Sequence, residues 1–464
     1  MTDCHLNLIM KSFSYKKLAV YLTLYAILGG ILLSVFTLPP STDSDTFFSL
    51  RVVIIFFASL LLTKYTIYMV LSPWNEIVQL QRLRRHHHPD FRPLVSVIIP
   101  AWNEGEGIIT TVRSLLTSKY TNLEIIVVDN ASTDGSDSLL RRQVKILKAL
   151  KKRENQLFYR GIRLSYYYEG TQGKGHALNH GLSKARGEII ISIDADCFVP
   201  PNTIGNFVKQ FSDPKVMAAV GNVRIGNTDK IIGVVQYLEF LFSFYFKKAE
   251  SLVNSIYIIG GAAGAFRRQV FTELGPYSTT NITEDIELSL RVQSAGMRTV
   301  YAEDAILYTE GAPTLTGLLK QRLRWKRGRI ETFVEHKNMF FSRDKKHNRL
   351  LTWVILPLAV IGDLQLAFEG LFLAFLYIFS LLTKDFTSFI SGIIVVSSMF
   401  LIQVIFDNYR HDVWKFVLLA PIGWLLFYIS TFVETYALFK AYFGHLKRQD
   451  LKWQQWERRG VFTK

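Results

Sequence analysis

Apolar residues crowd both ends of the chain, and charged residues crowd its middle. Residues 18–38 (LAVYLTLYAILGGILLSVFTL) carry no charge and are long enough to cross a bilayer core of about 30 Å. Residues 52–71 repeat the pattern with a single lysine, Lys64, near the end where its ammonium can snorkel to the headgroups. The loop between them (PPSTDSDTFF) holds two aspartates and no basic residue. Lys11, Lys16 and Lys17 precede the pair of runs, and Arg82, Arg84, Arg85 and Arg92 follow it. That asymmetry predicts two spans with both flanks in the cytoplasm. A second span and the lack of a small-residue cleavage site make the segment read as an anchor rather than a signal peptide. Apolar runs return at 351–382, 389–406 and 413–443, interrupted by Asp363, Glu369 and Glu434. Carboxylates at such depth are expected to face a protein interior or a watery path. The basic tail (Lys447, Arg448, Lys452, Arg458, Arg459) calls for an even number of C-terminal crossings. Three runs do not supply one, so the crossing count stays open.

The middle of the chain has a different rhythm. Residues 94–100 (LVSVIIP), 123–129 (LEIIVVD) and 187–196 (GEIIISIDAD) are short apolar runs of the kind a buried parallel strand needs. Helix-spaced segments separate them, among them EGIITTVRSLL and a Lys/Arg-rich stretch at 138–153. Such β-α-β-α-β alternation predicts a parallel sheet with right-handed crossovers, whose ligands bind beyond the carboxyl ends of the strands. Those ends carry Asn103 and Glu104, then Asp129, then Asp194 and Asp196. The expected layout is an N-terminal membrane region (1–80) and an α/β domain (93–345) that ends in an amphipathic helix at 314–335. A C-terminal membrane region (346–446) and a basic tail (447–464) follow.

Length and charge narrow the partners. At 464 residues the chain exceeds the roughly 100–200 residues of one domain. The net charge of +16 is not gathered into a basic stripe with interleaved aromatics, so nucleic acid is not an expected partner. Anionic membrane lipids and anionic substrates account for it better. The two cysteines, Cys4 and Cys197, both expected in the cytoplasm, form no disulfide framework. The histidines of RRHHHPD (84–90) point in different directions and read as a solvated stretch. In GTQGKGHALN a glycine stands where a P-loop needs Ser or Thr.

Three short motifs bear chemistry. Asp194 and Asp196 flank one alanine, and side chains two apart on an extended strand share a face. Both carboxylates then reach one pocket, where Mg2+ or Mn2+ held with substrate phosphates suits them. The plainer alternative is an acidic surface turn. NITEDIELSLR (281–291) reads as a helix start, with Asn281 as N-cap and Glu284 completing a capping box. It reads equally as the seat of a general base, Asp285. In KQRLRWKRGRI (320–330), Gln321, Arg324 and Trp325 stand at i, i+3 and i+4 and share one helix face, with Arg322 and Lys326 on another strip. A helix this basic also suits a membrane surface.

The motifs VVDNASTDGS, DAD, TED and QRLRW follow one another in that order, with GKGHALNHGL, GNVRI and GGAAGAFRR among them. The series resembles the processive, membrane-embedded family 2 glycosyltransferases: the poly-N-acetylglucosamine, hyaluronan, chitin and cellulose synthases. The layout is most similar to the bacterial poly-N-acetylglucosamine synthases. The resemblance implies a GT-A catalytic domain on the cytoplasmic face of the cell membrane, between the two membrane regions. It implies inverting polymerisation of a β-linked polysaccharide from a UDP-sugar, UDP-N-acetylglucosamine first among candidates, and export of the growing chain. Residue by residue it places Asp129 on the uracil or ribose with Asn103 and Glu104 nearby, Asp194 on the nucleotide-sugar, and Asp196 with Asp194 on the metal. Lys174 and Arg324 would offset charge on the departing UDP, and Asp285, beside Glu284, would deprotonate the acceptor. Trp325 would stack on the terminal sugar, with Gln321, Thr283, Gly260 and Gly261 completing the acceptor site. Many relatives have Asp where this chain has Asn130. On this reading Asp363, Glu369 and Glu434 line the polymer's route, and loss of Arg322's charge matters much less than loss of Trp325. Two alternatives stand beside it: transfer of a single sugar to a lipid carrier, and a transporter or receptor with a nucleotide-binding domain. Accessory subunits leave no mark in the sequence.

Overall fold

The computed structural model describes residues 67–464 apart from 87, 89, 106, 136–155, 160, 385, 406, 408–413, 420–422, 448–459 and 462–464. The apolar run 18–38, most of 52–71 and the basic stretch 138–153 therefore lie outside the described residues. The chain divides into two compact units. One contains the described part of Met1–Gln79, with Leu241–Ala249 and Leu364–Phe432; the other contains Leu80–Phe240, Glu250–Asp363 and Val433–Lys464.

The second unit is built on a sheet. Its strands are β1 (Val95–Ala101), β2 (Leu123–Asp129), β3 (Gln156–Tyr159), β4 (Ile162–Tyr168), β5 (Ile189–Ser192), β6 (Cys197–Phe198), β7 (Val216–Ile225), β8 (Gly264–Arg267) and β9 (Arg298–Thr309). The helices between them are α1 (Gly107–Leu116), α2 (Lys174–Lys184), α3 (Thr203–Gln210), α4 (Ile231–Leu252), α5 (Arg268–Leu274) and α6 (Glu284–Ser294). The strand order is β3-β4-β2-β1-β5-β8-β7-β9-β6. β4, β2, β1 and β5 are parallel, as the alternation predicts, with Val95 opposite both Leu123 and Ile189. VSVIIPA, LEIIVVD and IIIS are almost wholly buried, because helices cover both faces of a parallel sheet and leave no solvent side to satisfy. Beyond β5 the expectation of a wholly parallel sheet fails. β8 runs antiparallel to both β5 and β7, and β7 then pairs parallel with β9 through two irregularities in register. The sheet is mixed, and its first half carries the strand ends that matter.

C-terminal to β9 come α7 (Leu315–Glu335), α8 (Leu356–Thr383), α9 (Thr387–Ile405) and α10 (Gly423–Leu446). The three C-terminal apolar runs fall on α8, α9 and α10. Among the described residues no helix is long and apolar enough to cross a membrane.

Candidate functional site

The rim of the site forms where β1 and β2 end side by side, Ala101 opposite Asp129. Asp129 is buried; its Oδ1 accepts from the Ser132 amide at 3.2 Å and its Oδ2 from the Tyr166 hydroxyl at 3.1 Å. Asn103 sits at φ 54°, a left-handed conformation that asparagine tolerates better than most residues. Its Oδ1 accepts from the amides of Thr133 at 2.7 Å and Asp134 at 3.3 Å, and Glu104 continues the same turn. The structure thus gathers Asn103, Glu104 and Asp129 at one edge. Asn130, which the motif reading registered only as a departure, has a structural task. Its Nδ2 donates to the Thr171 carbonyl at 2.6 Å while its Oδ1 accepts from the Gly173 amide at 2.7 Å. A carboxylate has no N–H to donate, so this pinning of the loop ahead of α2 requires the amide.

That loop delivers Lys174, the first residue of α2. Its Nζ lies 2.6 Å from Asp194 Oδ1 and 3.4 Å from Glu284 Oε1. Asp285, in the same first turn of α6 as Glu284, accepts from the Gly261 amide at 2.7 Å through Oδ2. A Cβ at Gly261 would stand 2.7 Å from Lys174 Nζ and 3.4 Å from Asp285 Oδ2, so only glycine leaves the ammonium and the carboxylate in place. Lys174, Asp194, Gly261, Glu284 and Asp285 form one constellation. Burial alone would lower the pKa of Lys174, but Asp194, Glu284 and Asp285 outweigh it and hold the ammonium charged. For Glu284 burial wins and raises the pKa, against the opposing pull of Lys174 and of Arg324.

The aspartate pair does not sit on an extended strand as its spacing suggests. β5 ends at Ser192, and Asp194–Asp196 form the turn before β6, so no extended strand aligns the two side chains. Asp194 turns to Lys174; Asp196 is buried and its Oδ1 accepts from Thr309 Oγ1 at 3.2 Å. Among the described residues, a set of three acid or imidazole groups within 4.8 Å of one another lies elsewhere, at Glu287, Glu335 and His336. There Glu287 already meets Arg291 at 2.7 Å and His336 at 3.4 Å, so its carboxylate is engaged within the protein. The capping box does not form either. Thr283 caps α6 without a side-chain bond, Glu284 turns inward, and Asn281 Oδ1 instead accepts from the Thr283 amide at 3.0 Å.

α7 runs over Leu315–Glu335 as its apolar spacing predicts, with Thr314 Oγ1 accepting from the Gly317 amide at 3.2 Å. It is not a surface helix. Leu318 packs with Ala312 and Val433, and Leu323 with Ala437 and Ala441. Arg322 and Lys326, whose strip would suit a membrane surface, are buried, and so is Arg327. Gln321 is 8% exposed, and among the described residues its Oε1 meets no donor. Trp325 is half-buried beside Phe240, ring centroids 6.3 Å apart.

The TED loop and α7 are locked together. Asn281 Nδ2 donates to Thr332 Oγ1 at 3.0 Å, and a Cβ at Gly328 would stand 2.1 Å from Thr283 Oγ1 and 2.7 Å from its Cβ. Nothing in the residue spacing announces this contact. Gly328→Ala is expected to cost about 1–3 kcal/mol by overpacking and to displace Thr283. A fall in the thermal midpoint together with a drop in turnover checks it.

The sequence pattern that defines "Glycosyl transferase family 2" matches residues 96–275, and that of "Glycosyl transferase family group 2" matches residues 189–439, more than half of the chain. The chain belongs to the family 2 glycosyltransferases. This glycosyltransferase is similar to the poly-beta-1,6-N-acetyl-D-glucosamine synthase of Staphylococcus aureus (strain COL), 30% identical over 253 residues. That match spans 54% of this chain and 57% of the relative. The synthase of the same name from Staphylococcus epidermidis is 29% identical over 242 residues, 52% of this chain and 55% of the relative. The chain therefore spans little more than half the length of the curated relatives it matches. Among solved structures, a mannosyltransferase from Pyrobaculum calidifontis, in complex with GDP-Man and Mn2+, superposes with a TM-score of 0.52 at 22% identity. It covers 83% of this chain and 99% of that one, and it places the glycosyltransferase on a GT-A-like α/β fold.

Proposed function

We propose that this glycosyltransferase polymerises a β-linked polysaccharide from UDP-N-acetylglucosamine, holding the growing chain between additions. The observation that carries the reading is the meeting of two sets of groups in one unit. Lys174, Asp194, Gly261, Glu284 and Asp285 converge at the sheet's carboxyl edge. The loop bearing Thr283, Glu284 and Asp285 is pinned to the helix that carries Gln321, Arg324 and Trp325. The first set suits a nucleotide diphosphate and the second an acceptor. The curated relatives, named as poly-N-acetylglucosamine synthases, support the choice of sugar.

In the proposed reaction Asp285 takes the proton of the acceptor hydroxyl, whose oxygen forms a bond to the anomeric carbon as that carbon's bond to the diphosphate breaks. The Gly261 amide fixes the Asp285 carboxylate for this transfer. UDP leaves with an added negative charge, which Lys174 and Arg324 offset. The unsatisfied Oε1 of Gln321 offers an acceptor for a sugar hydroxyl, and Trp325 offers a face for the ring. Asn103, Glu104 and Asp129 line the edge where the uridine would sit.

The hard oxygen donors of Asp194 and Asp196 fit Mg2+ or Mn2+, which would lend the diphosphate charge neutralisation when bound. Chelation with EDTA is expected to abolish UDP release, and added Mn2+ or Mg2+ to restore it in the wild type but not in Asp196→Asn.

Membrane attachment belongs to the same proposal. On α8, Leu364, Phe368, Leu371 and Phe375 recur at helical steps and are all exposed, a continuous apolar strip of the kind lipid covers. With the apolar runs 18–38 and 52–71 they support a multi-pass protein of the cell membrane with its catalytic unit in the cytoplasm. The test of the whole reading is metal-dependent UDP release from UDP-N-acetylglucosamine, with product length read on a gel. A ladder of long products supports polymerisation; a single addition overturns it.

A further inference from the structure

Arg322, Lys326 and Arg329 stand at i, i+4 and i+7 on α7, and each is met by carboxylates from other helices. Arg322 Nη2 lies 2.8 Å from Glu239 of α4, and its Nε lies 3.0 Å from Glu434 of α10. Lys326 Nζ lies 2.7 Å from Glu434 and 3.0 Å from Asp363 of α8, and Arg329 pairs with Asp363. Three cations face three carboxylates, so the cluster is neutral. Desolvating so many charges is costly, and apolar side chains of similar size commonly stabilise a core as well or better. Stability alone is therefore a poor account of the cluster.

Its position gives a better one. Arg322 is 2% exposed, and its guanidinium carbon lies 4.2 Å from the centroid of the Trp325 ring. One face of the indole is thereby taken by a cation whose Nη2 and Nε are held by Glu239 and Glu434. We infer that Arg322 is a positioning residue: stacked on Trp325 and gripped by Glu239 and Glu434, it sets the indole's orientation so that the face opposite the guanidinium receives the acceptor sugar. The inference rests on the proposed function and assigns a role to a side chain that the one-face reading of QRLRW sets aside. The guanidinium suits this task because it is planar and can stack while donating sideways; an ammonium keeps the charge but has no plane.

The test compares wild type with Arg322→Lys, which keeps a cation between Glu239 and Glu434. Three quantities are measured: the KM for an oligomer of β-linked N-acetylglucosamine, the KM for UDP-N-acetylglucosamine, and the Trp325 emission obtained by subtracting a Trp325→Phe background. The expected result is an acceptor KM raised about tenfold, the ratio a desolvated cation–π contact of about 1.4 kcal/mol corresponds to, with shorter products. The donor KM stays unchanged and the Trp325 emission shifts. Glu239→Gln, which leaves Arg322 paired to Glu434, moves the same quantities in the same direction by less. An Arg322→Lys enzyme with wild-type acceptor KM and emission overturns the inference. So does a variant whose donor and acceptor parameters deteriorate together with its folded yield, because that is the mark of a merely structural charge. If Arg322→Lys does not fold, Glu239→Gln decides by the same two criteria. A wild type that releases UDP from no UDP-sugar overturns the proposed function, and this inference with it.

Discussion

Asp285→Asn is expected to cut UDP release by about 10²–10⁴-fold, the usual contribution of a positioned general base, with donor affinity kept. The reasoning is local. An asparagine oxygen can still accept from the Gly261 amide, so the substitution preserves the bond that aims residue 285 and leaves Lys174 paired with Asp194 and Glu284. What disappears is the atom that takes the proton. Because one negative charge is removed near the diphosphate, donor binding should hold or tighten slightly. Coupled-enzyme turnover and calorimetric titration with the donor separate the two. Full turnover in the variant would move the base role to Glu284. That residue is the poorer candidate, being buried and already committed to Lys174.

Trp325→Ala should abolish polymer growth while binding of the UDP-sugar persists. Aromatic anchors at the centre of a contact surface cost about 2 kcal/mol or more when truncated, a factor of about 30 in acceptor affinity. The loss falls on the acceptor because the Trp325 ring stands beside Phe240 and Arg322, whereas the groups placed on the donor, Arg324 of the same helix apart, lie at the ends of β1, β2 and β5 and on α2. Product length and acceptor KM should therefore change while donor KM does not. An unchanged product ladder would remove Trp325 from the acceptor site.

Much of the sheet is legible in the sequence because VSVIIP, LEIIVVD and IIIS state their burial outright, and a strand buried on both faces needs nothing else. The direction of β8 is not legible: GAFR carries no sign of which neighbour it will join. The motif letters point to Asp194, Asp285 and Trp325, but the local geometry differs from the pattern at two of these places. The DAD segment turns where an extended strand was expected, and Asn281 makes a bend in place of a cap. The largest gap lies in α7. Arg322 and Lys326 look solvated when only their own helix is considered, since their partners Glu239 and Asp363 stand 83 and 37 residues away. The carboxylates within the C-terminal apolar runs, Asp363 and Glu434, suggest by sequence a polymer's path; in the structure they pair with Arg322, Lys326 and Arg329. A charge and its counter-charge are both visible in a sequence, but the pairing between them is set by packing.

The contact of Gly328 with Thr283 constrains how this enzyme can be recombined with its relatives. A chimera that imports α7 alone brings its own residue at 328, and any side chain there collides with the threonine before Glu284 and the proposed base Asp285. Helix 315–335 and loop 281–285 behave as one exchangeable cassette, although about thirty residues of β9 and its flanks separate them in the chain. Swapped together they should transplant an acceptor preference; swapped singly, they should yield a folded sheet with a misplaced base.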